Sequence, residues 1–156
     1  MLRIKIIVVD RTRSSFLQQG ESFYLDRLSR YARAEWVEVR PTKIKKGTPT
    51  EKILAMEGDA IAKRLRPKDY MIALDRLGKT YESEDLAKHI EKLAFRGIMP
   101  AFIIGGPLGL SEKILDRADE IFSLSQLTLT HEMSRLILLE QLYRAFTIIN
   151  NEKYHK

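Results

Sequence analysis

A chain of 156 residues, 44% hydrophobic and 31% charged, can bury one sizeable core and reads as a single globular domain over 1–156. It has no cysteine, which excludes disulfides, thiolate metal sites and cysteine nucleophiles. No apolar run nears the roughly 18 residues that cross a bilayer, and the start MLRIKIIVVDRTR is too short in its apolar part and too basic afterwards for a signal peptide, so a cytoplasmic protein with no membrane partner is expected.

The net charge is +6, and the first 50 residues carry it, with 11 Lys and Arg against 5 Asp and Glu. Such a region favours a polyanionic partner such as nucleic acid, or is a solvated basic surface.

Leu2 to Val9 is short, β-branched and almost continuously apolar, the pattern of a buried strand. Phe23, Tyr24, Leu28 and Tyr31 recur at helical spacing within 18–33, with Arg27, Arg30 and Arg33 on other faces. Trp36 to Arg40 is the next strand, followed by a basic loop from Pro41 to Gly47. Thr48 and Glu51 stand at capping-box spacing ahead of a helix over 50–66. Tyr70 to Asp75 is a third strand. A helix starts at Ser83, with Glu84 and Asp85 at its positive end, and Gly97 ends it. Ala101 to Ile104 is a fourth strand running into Gly105-Gly-Pro-Leu-Gly109, after which Ser111 and Glu112 open a helix to about Ala118. Glu120 to Ser123 is a short strand, Leu124 to Thr130 a loop, and 131–149 the last helix.

Strands alternating with helices predict an α/β fold: a mostly parallel sheet with helices on both faces. In such sheets ligands bind outside the carboxyl ends of the strands, where Gly105–Gly109 and Ser123–Thr130 are expected. The glycine segment is a ligand loop or a plain strand-to-helix turn; it fits neither G-x-G-x-x-G nor a P-loop. The second segment is a loop enclosing a neutral adenine ring, or an edge strand. The last helix is apolar around most of its circumference, from Met133 to Ile149. It must be covered on most sides, by a partner subunit or within the monomer. Arg135 and Arg144 are nearly its only cations, and their spacing of nine is read as one shared direction, with Glu140 a salt-bridge partner for Arg144. The three histidines, His89, His131 and His155, form no metal-ligand spacing; His89, among Lys and Glu, is expected in solvent. No metal is expected, and no G-x-S-x-G elbow supports a hydrolase.

Several segments together resemble one family: Leu74-Asp75-Arg-Leu-Gly78-Lys79, Ile103-Ile-Gly-Gly-Pro-Leu-Gly-Leu-Ser111, Ser123-Leu-Ser-Gln-Leu-Thr128, His131…Arg135…Glu140-Gln-Leu-Tyr143-Arg144-Ala145, and the tail Tyr154-His155-Lys156. These are similar, in order and over the whole length, to the SPOUT-class pseudouridine N3-methyltransferases of large-subunit ribosomal RNA. The tail departs from that family's usual Tyr-His-Arg ending at Lys156, which cannot reproduce a bidentate fork.

The resemblance implies a SPOUT fold with a C-terminal trefoil knot, a homodimer joined through the last helix, and S-adenosylmethionine as cofactor. It implies cofactor contacts from Leu74, Gly105, Leu124, Ser125, Gln126, Leu127, Thr128 and Leu129. It also implies methylation of a pseudouridine on the assembled ribosome. His155 is then the expected base for the N3 proton, with Tyr154, Arg144 and His131 beside it at the cofactor loops. Arg11, Arg13, Lys43, Lys45 and Lys46 are candidates for phosphate contacts. Two alternatives are a non-catalytic RNA- or ribosome-binding protein on the same fold, and another nucleotide-binding α/β enzyme such as a dehydrogenase.

Overall fold

The computed structural model describes residues 1–41, 43 and 45–156; within the expected basic loop, Thr42 and Ile44 lie outside the described residues. Five strands, β1 (Leu2–Val9), β2 (Ala32–Val39), β3 (Asp69–Lys79), β4 (Met99–Ile104) and β5 (Glu120–Phe122), form one sheet in the order β2-β1-β4-β3-β5. Every pairing in it is parallel, so the expected mostly parallel sheet is parallel throughout.

Helices cover both faces, as expected. On one side Ile4, Ile6 and Val8 of β1 pack with α1 (Ser15–Leu28), α3 (Ser83–Phe95) and α5 (His131–Ile149), through Leu28, Ile90 and Leu142 among others. On the other, Ile7 and Val9 meet α2 (Thr50–Ala62) and α4 (Glu112–Arg117) through Ile61 and Ile114. Burial on both faces is why Ile6 to Val9 of β1 run apolar without alternation, whereas β2, at an edge, carries the exposed Arg33, Glu35 and Glu38.

β1 and α5 have the limits read from the sequence. α1 ends five residues earlier than expected, because Ala32 already pairs with Leu2 of β1. Tyr31 continues the apolar spacing from the turn and stacks on Phe146, ring centroids 5.8 Å apart. The expected capping box before α2 does not form. Pro49 is the N-cap, and the Thr48 hydroxyl instead donates to the Lys45 carbonyl, 2.7 Å away. Where caps do form, they are Ser111, accepting from the Ile114 amide, and Thr130, accepting from the Met133 amide.

α5 lies between α1 and α3, and none of its residues is exposed. The monomer itself therefore covers much of the apolar circumference, including Leu138, Leu139, Leu142 and Phe146. The half-buried residues of α5 include a stripe at helical spacing: Met133, Ile137, Gln141, Arg144 and Ile148.

One ion pair lies inside the sheet. Lys5 on β1 and Asp69 on β3 meet at 2.5 Å with almost no exposure, and Lys5 Nζ also donates to the Arg64 carbonyl at 3.1 Å. Removing one member strands the other in low dielectric. Lys5→Met is expected to lower the unfolding free energy by about 3 kcal/mol, while Lys5→Met with Asp69→Leu recovers most of it. Urea denaturation of the three proteins checks this.

Candidate active site

At the carboxyl edge of the sheet, the loops after β3, β4 and β5 enclose a cleft of about 590 Å3, within the range of small-molecule sites. Leu74, Asp75 and Arg76 form one wall, Gly105 to Gly109 a second, and Leu124, Ser125 and Leu127 to Thr130 a third. The first turn of α5 closes it with His131 and Ser134. Seven of the eight residues expected to hold a ligand line this cleft: Leu74, Gly105, Leu124, Ser125, Leu127, Thr128 and Leu129. Gln126 does not; it is exposed and outside the lining.

The glycine segment is a folded-back loop rather than a plain turn. Gly106 and Gly109 form an isolated antiparallel bridge. A Cβ on Gly105 would lie 2.3 Å from the Gly109 carbonyl oxygen, and Gly109 has φ +83°, so only glycine permits this closure. The facing segment is not an edge strand. The buried Ser123 donates its hydroxyl to the Ser125 carbonyl at 3.0 Å, and the Ser125 hydroxyl accepts from the Leu127 amide at 3.0 Å. Backbone groups in 124–129 are thereby held open to the cleft, with Leu124, Leu127 and Leu129 as apolar walls.

Pro107, Leu108 and Thr130, within the two expected edge segments, also line the cleft, and so do Asp75, Arg76 and Ser134, which were not expected there. Asp75 and Arg76 follow Leu74 directly past the straight part of β3. The register there shifts between Leu74 and Lys79, and the Leu77 amide donates to Asp75 Oδ1 at 2.9 Å. Their place at a strand's carboxyl end was the available signal.

Of the four expected catalytic residues, His131 alone lines the cleft. Arg144, Tyr154 and His155 form a separate cluster. Arg144 Nη1 lies 3.3 Å from His155 Nδ1, its guanidinium sits 4.8 Å from the Tyr154 ring centre, and it pairs with Glu140. The Tyr154 hydroxyl donates to Glu140 Oε1 at 3.0 Å. Partial burial and this bond to a carboxylate raise its pKa above the ordinary phenol range. His155 Nε2 faces Glu84 of α3 at 3.7 Å. Thirteen residues separate His131 from Arg144, about 20 Å along a helix, so within one chain Arg144 and the tail are not beside the cleft loops.

Nor do Arg135 and Arg144 share a direction. Nine residues make two and a half turns, which puts them on opposite faces. Arg135 is wholly buried, donating to the Val9 carbonyl at 2.6 Å and to the Thr12 hydroxyl at 2.9 Å. His89 is not in solvent: its Nε2 lies 2.7 Å from Glu120 and its ring stacks on Tyr81. Arg11 and Arg13 are exposed just past β1, and Lys43, Lys45 and Lys46 are exposed past β2, all on the carboxyl edge that carries the cleft. Among the described residues no group of three His, Asp or Glu side chains could hold a metal, and no helix is long and apolar enough to cross a membrane.

His131 is half-buried; burial first, then the Arg135 charge, push its pKa below the ordinary imidazole value. The neutral ring is thus the folded form, and its contribution to stability is present at neutral pH and lost as pH falls through the depressed pKa. Between pH 7 and 5 the melting temperature of wild type is expected to fall more than that of His131→Gln. Parallel falls in thermal scans would refute this.

Residues 2–155 match the family described as predicted SPOUT methyltransferase. Ribosomal RNA large subunit methyltransferase H of Halothermothrix orenii is 43% identical over 99% of this chain and 100% of its own length. The protein of the same name from Thermotoga neapolitana is 40% identical over 99% of each. Among solved structures, a probable methylase family protein from Haemophilus influenzae superposes with a TM-score of 0.59 at 16% identity, covering 98% of this chain and 70% of that one. That last likeness concerns the fold alone. A parallel sheet with a glycine-closed cleft at its carboxyl edge, and a family match from end to end, make this chain a member of the SPOUT methyltransferase family.

Proposed function

We propose that the protein is an S-adenosylmethionine-dependent methyltransferase acting at N3 of a pseudouridine in large-subunit ribosomal RNA, on the assembled ribosome, as a homodimer. The observation that carries the reading is the cleft itself, closed by Gly105–Gly109 against 124–130, in a chain about 40% identical over its whole length to relatives named ribosomal RNA large subunit methyltransferase H.

The lining fits the cofactor. Leucines and serine-held backbone groups suit an adenine ring, and the Asp75 carboxylate is the cleft's one acidic side chain, suited to the cofactor's cationic end. When bound, S-adenosylmethionine supplies an electrophilic methyl group on a sulfonium. Leu74, Gly105, Leu124, Ser125, Leu127, Thr128 and Leu129 would hold it, with Gln126 outside the contact set. The knot that accompanies this family is consistent with the path from β5 over the sheet's edge at 123–130 and onto the opposite face as α5.

The residues around the reacting base have two tasks: aligning N3 with the methyl group and receiving its proton. Alignment alone removes several kcal/mol from such a barrier. His155 is the proposed proton acceptor, Arg144 steadies charge growing on a uracil oxygen, and Tyr154 stays protonated as a donor. Because this cluster lies about 20 Å along α5 from His131, the partner's tail completes each cleft. The half-buried stripe on α5, with Phe16 (64% exposed) and Phe23 (47% exposed) one above the other on α1, is the proposed subunit contact. Arg11, Arg13, Lys43, Lys45 and Lys46 contact phosphates around the target.

Labelled methyl should pass from S-adenosylmethionine to pseudouridine N3 in ribosomes lacking the modification, and far less to free ribosomal RNA. No label from a folded dimer would favour a ribosome-binding protein without transfer. His155→Ala should lower turnover by about 10²–10⁴-fold, the range of a general base. Gly105→Ala, whose Cβ would meet the Gly109 carbonyl and keep the loop from folding back, should abolish cofactor binding. Mixed dimers of these two inactive proteins should regain transfer, since one intact cleft then meets one intact tail. Mixed dimers that stay inactive would place tail and cleft in the same chain.

A further inference from the structure

At the opposite, amino edge of the sheet lies a second concavity, of about 460 Å3, on the face shared with α2. Arg3, Arg33 and Arg66 line it, with Ile4, Ala34, Glu35 and Met99. Arg3 and Arg33 are register partners on the parallel strands β1 and β2, about 4.8 Å apart across the ladder. Like charges set side by side on neighbouring strands are destabilising. Among the described residues none of the three arginines forms a side-chain ion pair, and Glu35 is the only acid in the lining.

The third arginine is held there by the interior. Asp69 Oδ2, already paired with Lys5 at 2.5 Å, also accepts the Arg66 amide at 2.9 Å. Lys5 follows Arg3 by two residues and so points to the same face of β1. The buried ion pair therefore pins the turn that carries Arg66 against the strand that carries Arg3. Three exposed arginines around one concavity, none in an ion pair with a protein carboxylate among the described residues and one carried on a backbone pinned from below, suit phosphate oxygens, which Arg binds through its planar fork.

We infer that Arg3, Arg33 and Arg66 form a second docking site for the phosphodiester backbone of RNA, separate from the cleft and from the basic residues around it. Six residues of β1 separate Arg3 from Val9, about 20 Å along the strand, so the site engages phosphates well away from the methylated base. It adds affinity and orientation without reading sequence. This rests on the ribosomal substrate proposed above; such a site would engage a large ribonucleoprotein surface that a short RNA does not offer.

The test is binding of the full-length protein to ribosomes lacking the modification, by co-sedimentation from 50 to 200 mM salt. Wild type is compared with Arg3→Ser/Arg33→Ser/Arg66→Ser and with a charge-matched control, Lys88→Ser/Lys92→Ser/Arg96→Ser on the exposed side of α3. All three are checked by thermal melting. The arginine triple should lose at least about tenfold in affinity at low salt, and its log–log salt slope should shrink by about 2, the loss of two to three phosphate contacts. Its affinity for S-adenosylmethionine should be unchanged, and Glu35→Gln should bind ribosomes more tightly. An unaltered affinity and slope, or an equal loss in the control, would overturn the site. Methyl transfer by wild type to the same ribosomes separates the two readings. Transfer with unaltered binding in the arginine triple removes this site alone. Binding that depends on the three arginines without any transfer removes the methyltransferase reading and leaves the site.

Discussion

The guanidinium of Arg135 is the group on which the carboxyl edge of the sheet depends. It is fully buried and reaches from α5 to the last carbonyl of β1 and to the Thr12 hydroxyl. Thr12 in turn donates to Glu21 of α1 at 2.6 Å, and burial raises the Glu21 pKa above the carboxylate range. One turn earlier on α5, Glu132 Oε1 accepts the amides of Arg13 and Ser14, at 2.7 and 3.1 Å. It thus satisfies the amides of the N-cap Ser14 and of the residue before it, where the chain enters α1. A charge costs several kcal/mol to bury unless it is hydrogen-bonded on most sides. Arg135 meets that cost only in part, with two hydrogen bonds and an unpartnered Nε, and in doing so it ties the first turn of α5, where it closes the cleft, to the end of β1.

The cleft follows from where the chain is allowed to be irregular. Parallel strands covered on both faces leave no polar group of their own for a ligand, so chemistry is confined to their ends. Close approach is then the limiting requirement. Gly105 admits the Gly109 carbonyl, and Gly78 admits the backbone of Ile121, which a Cβ would meet at 2.6 Å. The second contact lets the end of β3 lie against β5, and the Ser123 amide donates to the Lys79 carbonyl at 2.8 Å. From that point the 123–130 segment crosses the edge of the sheet.

Charge is arranged by the same logic. The basic first third is split by the sheet into two ends: Arg11, Arg13 and the lysines after β2 at the carboxyl edge, Arg3 and Arg33 at the amino edge. A single count of net charge merges these into one basic region. Parallel strands running the same way separate them by the length of a strand.

Much of the architecture was legible in the chain because it is written in local periods. The mostly apolar, β-branched run of β1 and the all-round apolar pattern of α5 each showed their extent, and alternating elements imply a parallel, two-faced sheet. Strand ends pointed to Gly105–Gly109 and 123–130 as edge segments, whereas Leu74 and the individual residues of 124–129 came from the family resemblance; Gln126, in a loop whose direction no period sets, lies outside the cleft lining. The sequence by itself determined the order of the elements, their layering and the sheet edge at which the cleft opens. The tertiary structure decided which loops meet, that His89 joins Glu120 and not solvent, and that His131 and the Arg144–His155 cluster occupy opposite ends of one helix. These depend on the strand order β2-β1-β4-β3-β5 and on the packing of α5 between α1 and α3, relations between distant segments that no local pattern of residues encodes.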